Sequence, residues 1–119
     1  MREILFRGWT IGEFRWEYGF LSWLDTPRGR GYFINNKRID ERTLGQFTGM
    51  IDKNGTKIFE GDILNEPFQG GEKLYYVFWD DDYFAFRAKG EDITYQLDEI
   101  APSHCEVIGN IHDNKELLK

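Results

Sequence analysis

Gly45-Gln46-Phe47-Thr48-Gly49-Met50-Ile51-Asp52-Lys53-Asn54-Gly55-Thr56-Lys57-Ile58-Phe59-Glu60-Gly61-Asp62 reads as a short strand, a tight turn, a second short strand and a further glycine turn. Simple alternation places Phe47 and Ile51 on one face of the first strand, with Thr48 and Met50 on the other. Asp52-Lys53-Asn54-Gly55 supplies the turn. The aspartate can accept a hydrogen bond from the turn's own backbone, asparagine tolerates a left-handed φ, and glycine takes φ > 0 without a Cβ clash. Apolar runs on both sides make the segment a β-hairpin. Glu60-Gly61-Asp62 admits two readings, an acidic ligand loop or a carboxylate bonded to its own turn. The second is preferred because such turns are common.

Three stretches carry a resemblance. The central one is Thr43-Leu44-Gly45-Gln46-Phe47-Thr48-Gly49, Asp52-Lys53-Asn54-Gly55 and Ile58-Phe59-Glu60-Gly61-Asp62-Ile63. The closing one is Glu106-Val107-Ile108-Gly109-Asn110-Ile111-His112-Asp113-Asn114 with Glu116-Leu117-Leu118. The opening one is Phe6-Arg7-Gly8-Trp9 and Trp16-Glu17-Tyr18-Gly19. Together they resemble the YopX family of phage and prophage proteins over nearly the whole chain. Two positions depart from the pattern: Gly8, where alanine is expected, and His112, where an aromatic residue is more usual. The family has no established biochemical activity. The resemblance therefore implies an origin in a phage or prophage and a fold, and transfers no catalytic residue.

At 119 residues the chain is expected to form one domain able to bury a core without staples. A subdivision into an N-terminal β layer (1–45) and a compact β unit (46–119) is contemplated within it. Ten Phe, six Tyr, four Trp and thirteen Gly favour strands and frequent turns, hence an all-β, mainly antiparallel fold with at most short helical turns. The stretch 46–111 has strands suited to a small, partly open barrel. The single cysteine, Cys105, excludes an internal disulfide and fits a reducing compartment. No apolar run approaches a membrane span, and the charged start of the chain does not read as a signal peptide, so a cytoplasmic protein is expected. Net charge is −6, unevenly placed: residues 1–45 carry 8 basic and 6 acidic groups, residues 46–119 carry 7 and 15. An acidic chain disfavours nonspecific nucleic-acid binding, and the two halves could attract each other within or between subunits.

In chain order, Glu3–Trp9 is a first strand. Glu13–Phe20 alternates strictly, which predicts a half-buried strand with Phe14, Trp16, Tyr18 and Phe20 on the core side. The phase slips near Gly19. Asp25–Gly31 is expected to be a loop, because proline and glycine break regular structure. Tyr32–Ile34 is a strand and Asn35–Arg38 a turn; Asp40–Leu44 is one helical turn or an extended approach to the hairpin. Glu66–Glu72 reads as a flexible loop. Leu74–Trp79, apolar on both faces, is a central strand or one facing a partner. Tyr83–Ala88 returns with Phe84 and Phe86 inward. Ile93, Tyr95 and Leu97 alternate in a further strand, Cys105–Ile111 is the last, and residues 114–118 suit one helical turn.

Function is bounded more than stated. Asp80-Asp81-Asp82 invites a divalent metal, but side chains on a tight turn diverge and the spacing is not that of a Ca²⁺ loop. His104-Cys105 invites a nucleophile and base, but adjacent strand residues point to opposite faces, and His112 has no evident co-ligands. No catalytic residue, metal site or cofactor is therefore expected, and the chain is not expected to be an enzyme. Arg28, Arg30, Lys37, Arg38 and Arg42 form the one basic concentration, a candidate contact for an acidic partner surface such as the acidic half of a second copy. The expected function is a non-enzymatic interaction or oligomeric accessory protein acting on a host or phage protein. The alternative is a β-module binding nucleic acid through the basic loops at 28–42.

Overall fold

Paired left-handed residues set the hairpins. In the computed structural model, which describes residues 3–118, Asn35 (φ 53°) and Asn36 (φ 63°) join two strands with a two-residue turn whose twist matches that of the strands. Gln69 (φ 46°) and Gly70 (φ 80°) do the same further along. Eleven strands follow in order among the described residues: β1 (Phe6–Thr10), β2 (Trp16–Gly19), β3 (Leu21–Thr26), β4 (Gly29–Ile34), β5 (Lys37–Ile51), β6 (Lys57–Phe59), β7 (Asp62–Phe68), β8 (Gly71–Asp80), β9 (Ala85–Lys89), β10 (Thr94–Gln96) and β11 (Glu106–Asn110). Three 3₁₀ turns, Leu97–Ile100, Pro102–His104 and Lys115–Leu118, are the helical content of the described residues. The fold is all-β and antiparallel, as the composition predicts. Two compact units divide at Phe47/Thr48, with β5 running from the first into the second.

The first unit orders its strands β2-β1-β5-β4-β3. β2 and β3 stand at opposite ends of that order, yet Phe20 alone separates them. Two Cα steps reach about 7.6 Å, whereas four strand spacings in a flat sheet cover about 19 Å. The sheet must curl until its edges meet, and the Asn35 side-chain amide closes the gap by donating to Tyr18 O (3.0 Å) and Glu17 Oε2 (3.1 Å). Thr10, Ile34 and Ile39 fill the small interior. Gly8 faces it too, and a Cβ there would overlap Ile39 Cγ2.

That curl reverses the reading of residues 13–20. The alternation is real, but its aromatic side is the outer one. Glu17 lies opposite Gly8, which faces Ile39, so Trp16 and Tyr18 share the outer face with Trp9 and Arg7. Strand β2 begins only at Trp16; Phe14 sits in the preceding turn with φ 55°. Phe14 and Phe20 are 75% and 78% exposed. The expected loop at 25–31 is instead a hairpin with Pro27-Arg28 at its tip, where proline costs no ladder bond. Lys37 and Arg38, expected in a turn, belong to β5, and Asp40–Leu44 is extended. It bulges, since residues 41–44 of β5 face only Gly8 of β1.

The second unit has the sheet β10-β9-β8-β7-β11, with β6 pairing the end of β5. Leu64, Tyr75, Val77 and Ala88 from the sheet pack with Ile58, Leu97, Ile100 and Cys105 to form its core. β8 is central, as its two apolar faces suggest. The quoted hairpin is present. Gly49 at φ 90° breaks its alternation, so Met50 packs on the core while Ile51, expected to share a face with buried Phe47, is exposed. Residues 66–72 form a tight hairpin rather than a loop. Pro67 fits in β7 because β11 pairs only as far as Asn65, so no neighbour on that side asks for its missing N–H. Phe84, expected inward, lies in the β8–β9 turn at φ 50° and is 80% exposed. The strand expected through Ile93–Leu97 shortens to β10: Ile93 is exposed and Leu97 opens a 3₁₀ turn.

Candidate functional site

The five basic residues fall on three structural features: Arg28 on the β3–β4 tip, Arg30 on β4, and Lys37, Arg38 and Arg42 on β5. Three of them are answered within the first unit. Arg30 Nε donates to Asp25 Oδ1 (2.8 Å), Lys37 Nζ to Glu13 Oε1 (2.7 Å) and Arg42 Nη2 to Asp40 Oδ2 (2.8 Å). The Lys37 ammonium holds the Glu13 carboxyl below its usual range, and the Asp25 and Asp40 carboxylates raise Arg30 and Arg42. Arg28 and Arg38 have no ion pair among the described residues. Arg38 pairs across from Phe33, five residues along from Arg28, or about 16 Å in an extended strand. The two free guanidiniums therefore do not converge on one phosphate.

Arg38 does border a recess. β4 and β5 stay in register as far as Tyr32–Ile39 and then separate where β5 bulges. A cavity of about 180 Å³ opens there, lined by Ile11, Arg30, Gly31, Tyr32, Arg38 and Ile39, with Arg38 on the sheet face opposite to the Tyr32–Ile39 pair. Asp40 and Glu41 also line it. On the second unit a wider groove of about 730 Å³ lies between the start of β8 and the 90–93 turn, lined by Leu74, Tyr75, Tyr76, Ile93 and Tyr95 with charged residues at its rim.

The other sequence candidates resolve into separate roles. Asp80 Oδ2 accepts from Arg87 (3.3 Å) and Oδ1 from Asp82 N (2.9 Å), while Asp81 Oδ1 accepts from Trp79 Nε1 (2.8 Å). The triplet thus diverges, and no three metal-ligating side chains gather among the described residues. It frames an aromatic tip in which Tyr83 is stacked under the Arg87 guanidinium (4.0 Å) and Phe84 projects into solvent. Asp62 Oδ2 accepts from Phe59 N (2.8 Å), the preferred reading of that loop. Cys105 is buried against Ile100 O and Ala101 O. Burial, then the nearby Glu66 and Asp52 carboxylates, push its thiol up to about 11. At pH 8 the thiolate fraction is then on the order of 100-fold below that of an ordinary cysteine. Labelling of the native protein by a thiol reagent should be slow and should become fast in denaturant; equal rates in both states would contradict the burial.

Two constellations were not legible from sequence. Arg7, 5% exposed, lies 4.8 Å from the Trp16 ring, which meets Trp9 edge to face at 5.6 Å. The opening motif contains all three residues, but their contact depends on the Trp9–Trp16 register. Asp52 does more than close its turn: Oδ1 accepts from Asn54 N (2.8 Å) and Thr56 N (2.9 Å), and Oδ2 accepts from Val107 N (3.0 Å), fifty-five positions away. Its carboxyl is raised by burial but lowered more by these three donors, and it ends below the ordinary range.

A family model described as YopX protein matches residues 5–119. No curated protein matches the chain. Among solved structures, the crystal structure of protein EF1440 from Enterococcus faecalis is similar over 100% of both chains, with a TM-score of 0.61 and 24% identity. At that identity the likeness concerns the fold.

Proposed function

The chain belongs to the YopX protein family, and on that premise we propose that it is a phage- or prophage-encoded, non-enzymatic protein that works in the host cytoplasm by binding another protein. The observation that carries this reading is the placement of its aromatic residues. Phe14, Phe20 and Phe84 are each at least 75% exposed, and Trp23 is 59% exposed. Each of the three phenylalanines stands in a turn or between strands, where no core packing requires it. Aromatic side chains bring large, stiff contact area at low entropic cost, which is why binding surfaces concentrate them. No helix among the described residues is long and apolar enough to cross a membrane.

Nucleic-acid binding through residues 28–42 has less support, since three of the five cations there are occupied by carboxylates. Affinity capture with tagged protein from prophage-induced cells, with and without nuclease, tests both readings. The expected result is a protein partner retained after nuclease and lost from a Phe20→Ser/Phe84→Ser variant. Capture that vanishes with nuclease, and falls with Arg28→Ala/Arg38→Ala instead, would replace this proposal with the nucleic-acid one.

A further inference from the structure

We propose that the free edge of β3 pairs with β3 of a second copy, antiparallel about a two-fold axis at Leu24, so that the first-unit sheets of two chains become continuous. This goes beyond the reading above and does not depend on it. The two strand orders end in β2, β3, β10 and β11. An unpaired strand edge is a template for another strand unless it is short, charged or covered. β10 has three residues. β2 has four, and its Tyr18 O accepts from Asn35. On β11, Val107 N donates to Asp52. β3 has six residues, and Ser22–Asp25 are all exposed. Thr26 and Gly29 flank a two-residue loop and form a hydrogen-bonded pair. The pairs then alternate along the hairpin: Leu24–Gly31 and Ser22–Phe33 exchange bonds, while Asp25–Arg30 and Trp23–Tyr32 do not. The N–H and C=O of Trp23 and Asp25 therefore point to the free edge, and no other backbone bond occupies them among the described residues.

A second copy is the occupant because the strand is complementary to itself, as a two-fold contact requires. With Trp23 opposite the partner's Asp25, and the reverse, both pairs exchange backbone bonds. Leu24, 60% exposed, then meets its own counterpart at the axis, and Ser22 meets the partner's Thr26. Pro27, which has no N–H, ends the ladder. On the other face, Arg30 lies over the Trp23 ring (5.3 Å) and holds its own Asp25 (2.8 Å). The partner's Asp25, set across from Trp23, brings a second carboxylate to that guanidinium.

Sedimentation and amide hydrogen exchange of the full chain, from micromolar to millimolar concentration, test this. In the dilute monomer the amides of Trp23 and Asp25 should exchange faster than those of Ser22 and Leu24. As the dimer forms they should become protected. Leu24→Lys should weaken the dimer at least about 100-fold, since it brings like charges together at the axis. Leu24 is exposed, and circular dichroism would verify that the variant is folded. Under oxidation Leu24→Cys should cross-link to itself, because side chains facing each other at the axis have Cβ atoms about 4.5–5.5 Å apart. Ser22→Cys should not, its counterpart lying about 13 Å away along the strand. Cys105 is buried and stays out of the reaction. A wild-type chain monomeric throughout would overturn the inference. So would a dimer that leaves the Trp23 and Asp25 amides fast or tolerates Leu24→Lys, or cross-linking of Ser22→Cys in place of Leu24→Cys. Nuclease-resistant capture of a different protein by a chain that stays monomeric would leave the proposed function standing and end this inference alone.

Discussion

Asp52→Ala is expected to lower the stability of the protein by about 4 kcal/mol, since three backbone donors lose a charged acceptor and bonds to charged groups contribute about 1.5–3 kcal/mol each before non-additivity. That is a large share of the about 5–15 kcal/mol that holds a domain together. Asp52 is 3% exposed, so water cannot replace the carboxylate without opening the turn. Asp52→Asn should cost about half as much. One amide oxygen can still serve Asn54 N and Thr56 N, but the amide NH₂ would then confront Val107 N. The pH dependence has a definite sign. Because the native carboxyl lies below its unfolded value, its stabilisation is complete above the ordinary aspartate value of 3.8 and fades as pH falls through the lowered native value. The advantage of wild type over Asp52→Asn should therefore shrink in acid below about pH 4. Urea unfolding of the three proteins across pH measures this; equal stability of all three at neutral pH would show that the turn does not depend on the carboxylate.

Gly8→Ala should cost about 2–3 kcal/mol by overpacking, although alanine is the residue the family pattern leads one to expect there. The added methyl would occupy the space of Ile39 Cγ2, which is nearly fully buried and backed by the rest of the small interior. Ile39→Ala alone should cost about 2–5 kcal/mol through the cavity it leaves. The double variant should lose less than the sum, with a coupling of about 1–3 kcal/mol, because the new methyl fills part of that cavity. Strict additivity in urea unfolding would show that residues 8 and 39 do not compete for the same volume. The result would also account for the departure at this position: glycine here accompanies a β-branched residue across the strand.

The local chemistry of turns was legible where Asn, Asp and Gly carry it, and not at Phe14 and Phe84, which take left-handed φ in turns. Asn35-Asn36, Asp52–Gly55 and Gly61-Asp62 turn where their side chains and φ preferences direct. The errors lie where one residue type serves two purposes. Pro27 reads as a breaker of regular structure and residues 66–72 as a flexible loop, whereas Pro27 occupies a hairpin tip and Pro67 an unpaired strand side. Among the basic residues, sequence supplied the members but not their pairing. Asp25 and Asp40 are near their arginines in the chain, while Glu13 reaches Lys37 across twenty-four positions.

Residue order by itself determined the all-β class, the turns at Asn35-Asn36 and Asp52–Gly55 and the family, because each depends on neighbours a few positions apart or on a contiguous motif. Which side of an alternating strand faces inward was decided by the tertiary structure alone. Period-two alternation is the same whether the aromatic face is in or out. In the first unit the curl of β2-β1-β5-β4-β3 gives the small interior to Thr10, Ile34 and Ile39, and so turns Tyr18 outward. The long-range bond from Val107 to Asp52, the emergence of Phe84 and the recess beside Arg38 have the same origin. They arise from strand pairing and bulges, whose energies depend on contacts between residues distant in the chain.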